Sequence, residues 1–386
     1  MKKILLGISG LFFLAVLISS CGDDLNNTYQ DYTDEEYAII SKRLNLPSEV
    51  LQYSSQFEDN FFINHVGDQD IRSRRSDHKA TLGRVLFYDT KLSINESISC
   101  ASCHKQNLGF ADDLALSEGF DGELTTRNSL PLGNTIGFEN AYGGGRALFG
   151  WDESNEDIAA QSKAAILSTI EMGPDMGTLV DRLEKEEEYS ILFRKAYGDN
   201  QILQHRVLDA IEEFVNSIVS KESKFDHVSM ENGGHIFADF DGFTVQENRG
   251  KDLYIDHCAS CHSVDHMFTE KAIGNNGLDM EYTDKGVGAR TLNPEENGVF
   301  KIPFLRNVEL TAPYMHDGRF ETLREVIDHY SEGIVNHPNL SQELKLGNQP
   351  KKLNLTEQDK SALEAYLKTL TDNELMADVR FSDPFK

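Results

Sequence analysis

The chain has 386 residues, 39% of them hydrophobic, with a formal net charge of −27 and five cysteines. That length and apolar content can build a sizeable core, ordinarily divided into two domains. So acidic a surface repels nucleic acid and favours cationic partners. At the N-terminus, Lys2 and Lys3 precede an apolar run from Ile4 to Ile18 and then small residues before Cys21. This pattern predicts a signal peptide over residues 1–20, its apolar part too short for a membrane span. Ile18-Ser19-Ser20-Cys21 has the form of a lipobox, in which the cysteine is acylated and becomes the mature N-terminus. Residues 21–36 then read as a tether. The expected location is outside the cytoplasm, on the periplasmic face of a membrane, held by lipid alone.

Further along, Cys-x-x-Cys-His occurs twice: Cys100, Cys103 and His104, and again Cys258, Cys261 and His262. Two thiols that can add to porphyrin vinyl groups, followed at once by an imidazole able to bind iron, make a haem c attachment site. A zinc site or a dithiol redox pair would not require a histidine after both pairs. With Cys21 assigned to lipid, no cysteine remains for a disulfide. The two covalent haems are therefore the expected staples. Helical apolar spacing marks Leu203 to Ser220, Thr322 to Tyr330 and Glu357 to Thr369. Gly133 to Gly150 and Gly274 to Gly288 read as loops on haem edges. The chain is predicted to be mostly α: residues 37–225 form one haem domain, 226–243 a linker and 244–386 a second haem domain.

A set of landmarks surrounds the motifs: Leu86-Phe87-Tyr88-Asp89 with Leu92-Ser93, Arg127-Asn128-Ser129, Trp151-Asp152, Glu171-Met172, Ser223 to Asp226, Pro303 to Asn307 and Thr311 to Gly318. In order and spacing the chain resembles the bacterial di-haem cytochrome c peroxidases and their MauG-like relatives, from about Leu82 to Tyr330. The resemblance implies two cytochrome c-like domains packed against each other. It also implies hydrogen peroxide as substrate at a haem ligated by His104, and an electron-transfer haem ligated by His262. Glu171, 20 residues after Trp151, falls at the distal acid–base position, and Gln161 at a polar distal position. Trp151, the only tryptophan, falls between the haems.

Three departures are informative. The position where conventional members carry a distal histidine is Phe120, and no histidine lies between His104 and His205. Fourteen residues after His316, where a methionine ligand is conventional, stands Tyr330, with His329 as neighbour and rival. A phenolate stabilises higher oxidation states of iron, whereas a thioether favours the ferrous state. Glu153-Ser154 also follows Trp151-Asp152 where relatives commonly have Gly-Arg. Asn128, Thr311 and Pro313 occupy the family's calcium position, an oxygen set suited to a hard cation. His316 is expected near the second haem without ligating it.

The leading expectation is a peroxidase that draws electrons from a small cytochrome c or copper protein. The alternative within the family is MauG-like oxidation of a protein side chain at long range. A non-catalytic electron carrier would need a second strong ligand at the first haem, and the sequence offers none. The resemblance also suggests a homodimer.

Overall fold

The computed structural model describes residues 31–57, 75–137, 148–266 and 269–386. The predicted signal peptide, Cys21 and most of the predicted tether therefore lie outside the described residues. The last tether positions are packed structure instead. Tyr32 is buried, and Thr33 and Glu36 form a reciprocal capping box on helix α1, Asp34–Ile40. Such a box satisfies two backbone donors that the helix start leaves open.

In the first haem domain, Ser76 caps α2, Asp77–Tyr88, and the first motif forms the single turn α3, Cys100–Cys103. Four helices follow: α4, Ile158–Leu167; α5, Met176–Leu183; α6, Glu187–Tyr197; and α7, Gln204–Ser217. The last of these is a strongly two-faced helix whose buried residues include Val207, Ile211 and Phe214. α2 crosses α7 so closely that a Cβ on Gly83 would stand 1.9 Å from the Ala210 carbonyl oxygen. Only glycine fits there.

The second domain repeats this device. α8, Lys224–Glu231, leads into α9, Val245–His257, and the second motif turn α10, Ala259–His262. Two residue pairs, β1 Ile273–Gly274 and β2 Phe300–Lys301, run antiparallel, with the short α11, Val287–Thr291, between them. α12, Leu323–Asp328, then opens into a wider, π-helical turn over His329–Gly333. A small hairpin, β3 Lys345–Leu346 with β4 Gln349–Pro350, precedes α13, Glu357–Lys368. A Cβ on Gly250 of α9 would lie 2.0 Å from the Ala362 carbonyl oxygen of α13, the counterpart of the Gly83 crossing. Mostly helical structure in two such units is as predicted.

Two predicted boundaries differ. The segment read as a linker carries part of α8, and Phe225, Val228, Phe240 and Phe243 belong to the second hydrophobic core. Gly233, Gly234 and several Asp residues interrupt an apolar set that nonetheless packs. The C-terminal end differs too. After α14, Asn373–Ala377, the chain returns to the first domain, where Leu375 and Phe381 join its core. Phe381 packs its ring against Tyr53, Phe110 and Phe214, and Tyr88 donates to its carbonyl at 2.6 Å.

Candidate active site

Each motif histidine is held in the same way. The Nδ1 of His104 lies 2.9 Å from the Phe110 carbonyl, and the Nδ1 of His262 lies 2.9 Å from the Pro303 carbonyl. Because a carbonyl can only accept, Nδ1 carries the proton in each and Nε2 keeps its lone pair, the form that ligates metal. Burial holds both imidazoles below their ordinary pKa, against the pull of those carbonyls. Each ring lines a cavity, His104 one and His262 the other.

The cysteines fit haem attachment better than the alternatives. Burial pushes the thiols of Cys100 and Cys258 up to about 12 and that of Cys103 up to about 11. Thiols so raised carry little thiolate, contrary to what a redox pair needs. Among the described residues, no three His, Cys, Asp or Glu side chains are grouped to hold a metal ion by themselves. Two thiols beside a pre-oriented imidazole on a cavity wall suit a covalently bound haem, and around His262 that cavity is largely apolar.

The His104 cavity gathers the predicted catalytic residues: Glu171, Gln161 and Trp151 all line it. Burial alone pushes the Glu171 carboxyl above its ordinary value. The Ser168 hydroxyl accepts the Glu171 backbone N–H at 3.2 Å, and the Phe120 N–H donates to the Glu171 carbonyl at 2.9 Å, which fixes the turn. The Phe120 ring lies against Gly173, away from the cavity lining, and among the described residues His104 is the only histidine on that lining. Asn155 donates to the Gln161 side-chain amide oxygen, Oε1, at 2.8 Å, so the Gln161 NH₂ is not taken up by that bond.

Trp151 lines both cavities. Its indole N–H donates to the Asn128 carbonyl at 2.7 Å, its own carbonyl accepts from Lys301 N–H at 2.8 Å, and His316 meets its ring edge-on at 6.4 Å. His316 stacks on Phe300 at 3.8 Å. Beside them Lys301 is buried, donates to the Leu148 carbonyl at 2.8 Å and stands 3.9 Å from Glu153. Burial pushes its ammonium down to about 8. Lys301 was not singled out from the sequence, and Glu153 was marked only as a departure next to Trp151-Asp152.

On the second cavity, Tyr330 lines the wall with His262, whereas His329 turns away and binds the Asn276 carbonyl through Nε2 at 3.0 Å. Of the two rivals, Tyr330 is the one on the cavity wall, and both lie in the π-helical turn His329–Gly333. Burial pushes the Tyr330 hydroxyl up to about 12, partly offset by a hydrogen bond from the Asn276 side chain. Met315 also lines this cavity, and the Asn276 amide lies 3.3 Å from its sulfur. Asn276 thus touches Tyr330, His329 and Met315, a convergence that no sequence motif marks. Asn128, Thr311 and Pro313 all border the same cavity.

Comparison with known proteins bears on this geometry directly. The family profile described as Di-haem cytochrome c peroxidase matches residues 77–233, and that described as Cytochrome c matches residues 247–371. Methylamine utilization protein MauG of Methylorubrum extorquens is 33% identical over 297 residues, 76% of this chain and 78% of that protein. The chain belongs to the di-haem cytochrome c peroxidase and MauG family. Cytochrome-c peroxidase IdrP1 of Pseudomonas sp. strain SCT is 27% identical, covering 78% of this chain and 82% of its own. A solved MauG-like protein associated with microbial copper homeostasis superposes with a TM-score of 0.68 at 34% identity, covering 80% of this chain and 94% of that one. The diheme peroxidase BthA from Burkholderia thailandensis E264 shares the fold at a TM-score of 0.60 and 20% identity. As a member of this family, the chain carries two haem c groups and is an oxidoreductase. Among the described residues, no helix is long and apolar enough to cross a membrane.

Proposed function

We propose that this protein reduces hydrogen peroxide at the His104 cavity and shares the oxidising equivalents with the His262 cavity, with MauG-like electronics. The observation that carries the reading is the convergence of Glu171, Gln161 and Trp151 on the cavity of His104, where no second histidine stands among the described residues. Cys100, Cys103 and His104 would hold one haem c, and Cys258, Cys261, His262 and Tyr330 the other, and these groups would supply iron able to bind peroxide and store electrons. The carboxylate oxygen of Glu171 takes a proton from one peroxide oxygen and returns it to the departing one. Burial raises its proton affinity above that of a solvated carboxylate, which favours holding the proton between the two steps. The Gln161 NH₂ donates a hydrogen bond that steadies the bound peroxide. Trp151, against both cavities, provides the route for electrons.

Two electrons must then return. Their source is a small cytochrome c or copper protein, or a side chain of a protein substrate oxidised at a distance. The acidic surface favours a basic partner. Calcium at the side chain of Asn128 and the backbone carbonyls of Thr311 and Pro313 belongs to the same proposal, as do export and a lipid anchor at Cys21. The test is addition of stoichiometric peroxide to the fully oxidised, haem-loaded protein, followed optically and by EPR over seconds. Rapid loss of the ferric signals is expected. No reaction until one haem is reduced would instead identify a conventional peroxidase with a capped resting state.

A further inference from the structure

Behind the His262 cavity lies a buried cluster that none of these steps uses. The Nε2 of His266 lies 2.8 Å from the Tyr366 hydroxyl, and both residues are fully buried. Tyr366 packs against Tyr254 with ring centroids 5.3 Å apart, and Tyr254 lines the same cavity as His262. His266 has a φ of +58°, a strained backbone for a side-chain-bearing residue. It is pinned there by Arg306, whose Nε donates to the His266 carbonyl at 3.0 Å. The Arg306 guanidinium forms two 2.8 Å bonds to the two oxygens of Asp226.

Counting donors and acceptors decides the tautomer. His266 Nδ1 is buried without a hydrogen-bond partner among the described residues. With the proton on Nδ1, Nε2 accepts from Tyr366 and one donor goes unmet. With it on Nε2, the phenol hydrogen and the Nδ1 lone pair both go unmet. The first arrangement costs less. Burial first, and then the Arg306 charge, hold the imidazole well below its ordinary pKa, so Nε2 is an unprotonated base facing a phenol. Tyr254 has no such base: its hydroxyl donates to the backbone carbonyls of Ser263 at 2.6 Å and His262 at 3.2 Å. A phenol becomes a strong acid when it loses an electron, and a carbonyl cannot take its proton.

We propose that Tyr366 is a redox-active residue, oxidised by one electron to a neutral tyrosyl radical as its phenolic proton passes to Nε2 of His266. The proposal rests on the peroxide chemistry above, because the oxidant is a peroxide-oxidised haem in the His262 cavity, which gains the electron by way of Tyr254. The Tyr366 O–H bond breaks and a His266 N–H bond forms. The new imidazolium charge faces both Arg306 and Asp226, a pair that is neutral as a whole. Shielded from solvent, Tyr366 stores an oxidising equivalent while no electron donor is docked.

The test is freeze-quench EPR of the holoprotein after peroxide, with ring-deuterated tyrosine incorporated in parallel. An organic radical whose hyperfine structure narrows on deuteration is expected, lost in Tyr366→Phe and kept in Tyr254→Phe. If the haems respond but no tyrosine radical forms, or the same radical persists in Tyr366→Phe, the proposal is overturned and the peroxide reading stands. If the haems do not respond, the peroxide reading fails. Flash-generated ruthenium(III) oxidation of the holoprotein then decides: a radical lost in Tyr366→Phe supports the pair, and one unaffected overturns it. Should Tyr366→Phe not yield haem-loaded protein, His266→Gln keeps the phenol but removes the base. Loss of the radical there supports the pair, and its persistence overturns it.

Discussion

Replacing Glu171 with glutamine keeps the shape of the side chain and its place on the His104 cavity but removes its ability to take and return a proton. A positioned general acid–base contributes about 10²- to 10⁴-fold to rate, or about 2.7–5.5 kcal/mol of barrier. Glu171→Gln should therefore slow loss of the ferric signals after peroxide by about that factor in stopped-flow measurements. The pH profile sharpens the expectation. Burial raises the folded-state pKa of Glu171 above its ordinary 4.5. The wild-type rate should rise with pH as the carboxyl ionises, with a midpoint above 4.5, and this rise should vanish in Glu171→Gln. Stability should move the other way. Since the folded-state pKa is raised, the favourable contribution of Glu171 is complete below the unfolded value and is lost as pH rises through the folded one. At neutral pH the buried carboxylate is thus a net cost, and Glu171→Gln should melt no lower than wild type, its advantage fading in acid. A variant that reacts with peroxide within about tenfold of wild type, or that keeps the pH dependence, would refute the assignment, since general acid–base catalysis predicts more.

Tyr330→Met should raise the reduction potential of the His262 haem, because a thioether favours ferrous iron where a phenolate favours ferric. Spectropotentiometric titration reads this, and an unchanged potential would remove Tyr330 from the ligand set. Phe381→Ala should destabilise the first domain by about 3–5 kcal/mol, although the residue lies near the far end of the chain. Denaturant unfolding followed at the His104 haem should show the loss, and an effect below about 1 kcal/mol would mean that the returning tail is not part of that core. Asn128→Ala should lose bound calcium in elemental analysis, and a wild-type protein that binds none would dismiss the site.

What the sequence disclosed followed the range of the interactions involved. The haem attachment residues are contiguous and chemically unambiguous, so Cys100, Cys103 and His104 and their later counterparts needed no fold to be recognised. Glu171 and Gln161 are ordinary polar residues by themselves, and only their spacing from Trp151 within a family pattern marked them. The returning tail was illegible because Phe381 meets Tyr53 and Phe214, contacts between positions far apart in sequence that leave no periodic trace in a short segment. Asn276 was missed for a related reason: its work depends on facing Tyr330, His329 and Met315 together, which only the folded loop arranges.

The paired construction also argues where function diverged within the molecule. Both domains use a glycine crossing ahead of a motif turn, and both tie the motif histidine through Nδ1 to a backbone carbonyl at 2.9 Å. These shared features hold a haem but do not distinguish one haem from the other. The distinction lies in the wall each domain adds afterwards. In the first, Trp151, Gln161 and Glu171 line the cavity, where the proposed function uses Glu171 as proton carrier and Gln161 as hydrogen-bond donor. In the second, Tyr330 places a phenol oxygen on the cavity wall, hydrogen-bonded by the Asn276 side chain, where the proposed function makes it the iron's hard ligand. A chemistry that needs proton transfer at one iron and stabilised oxidation at the other requires that asymmetry. Exchanging the two walls, rather than the motifs, should therefore exchange the roles of the two cavities.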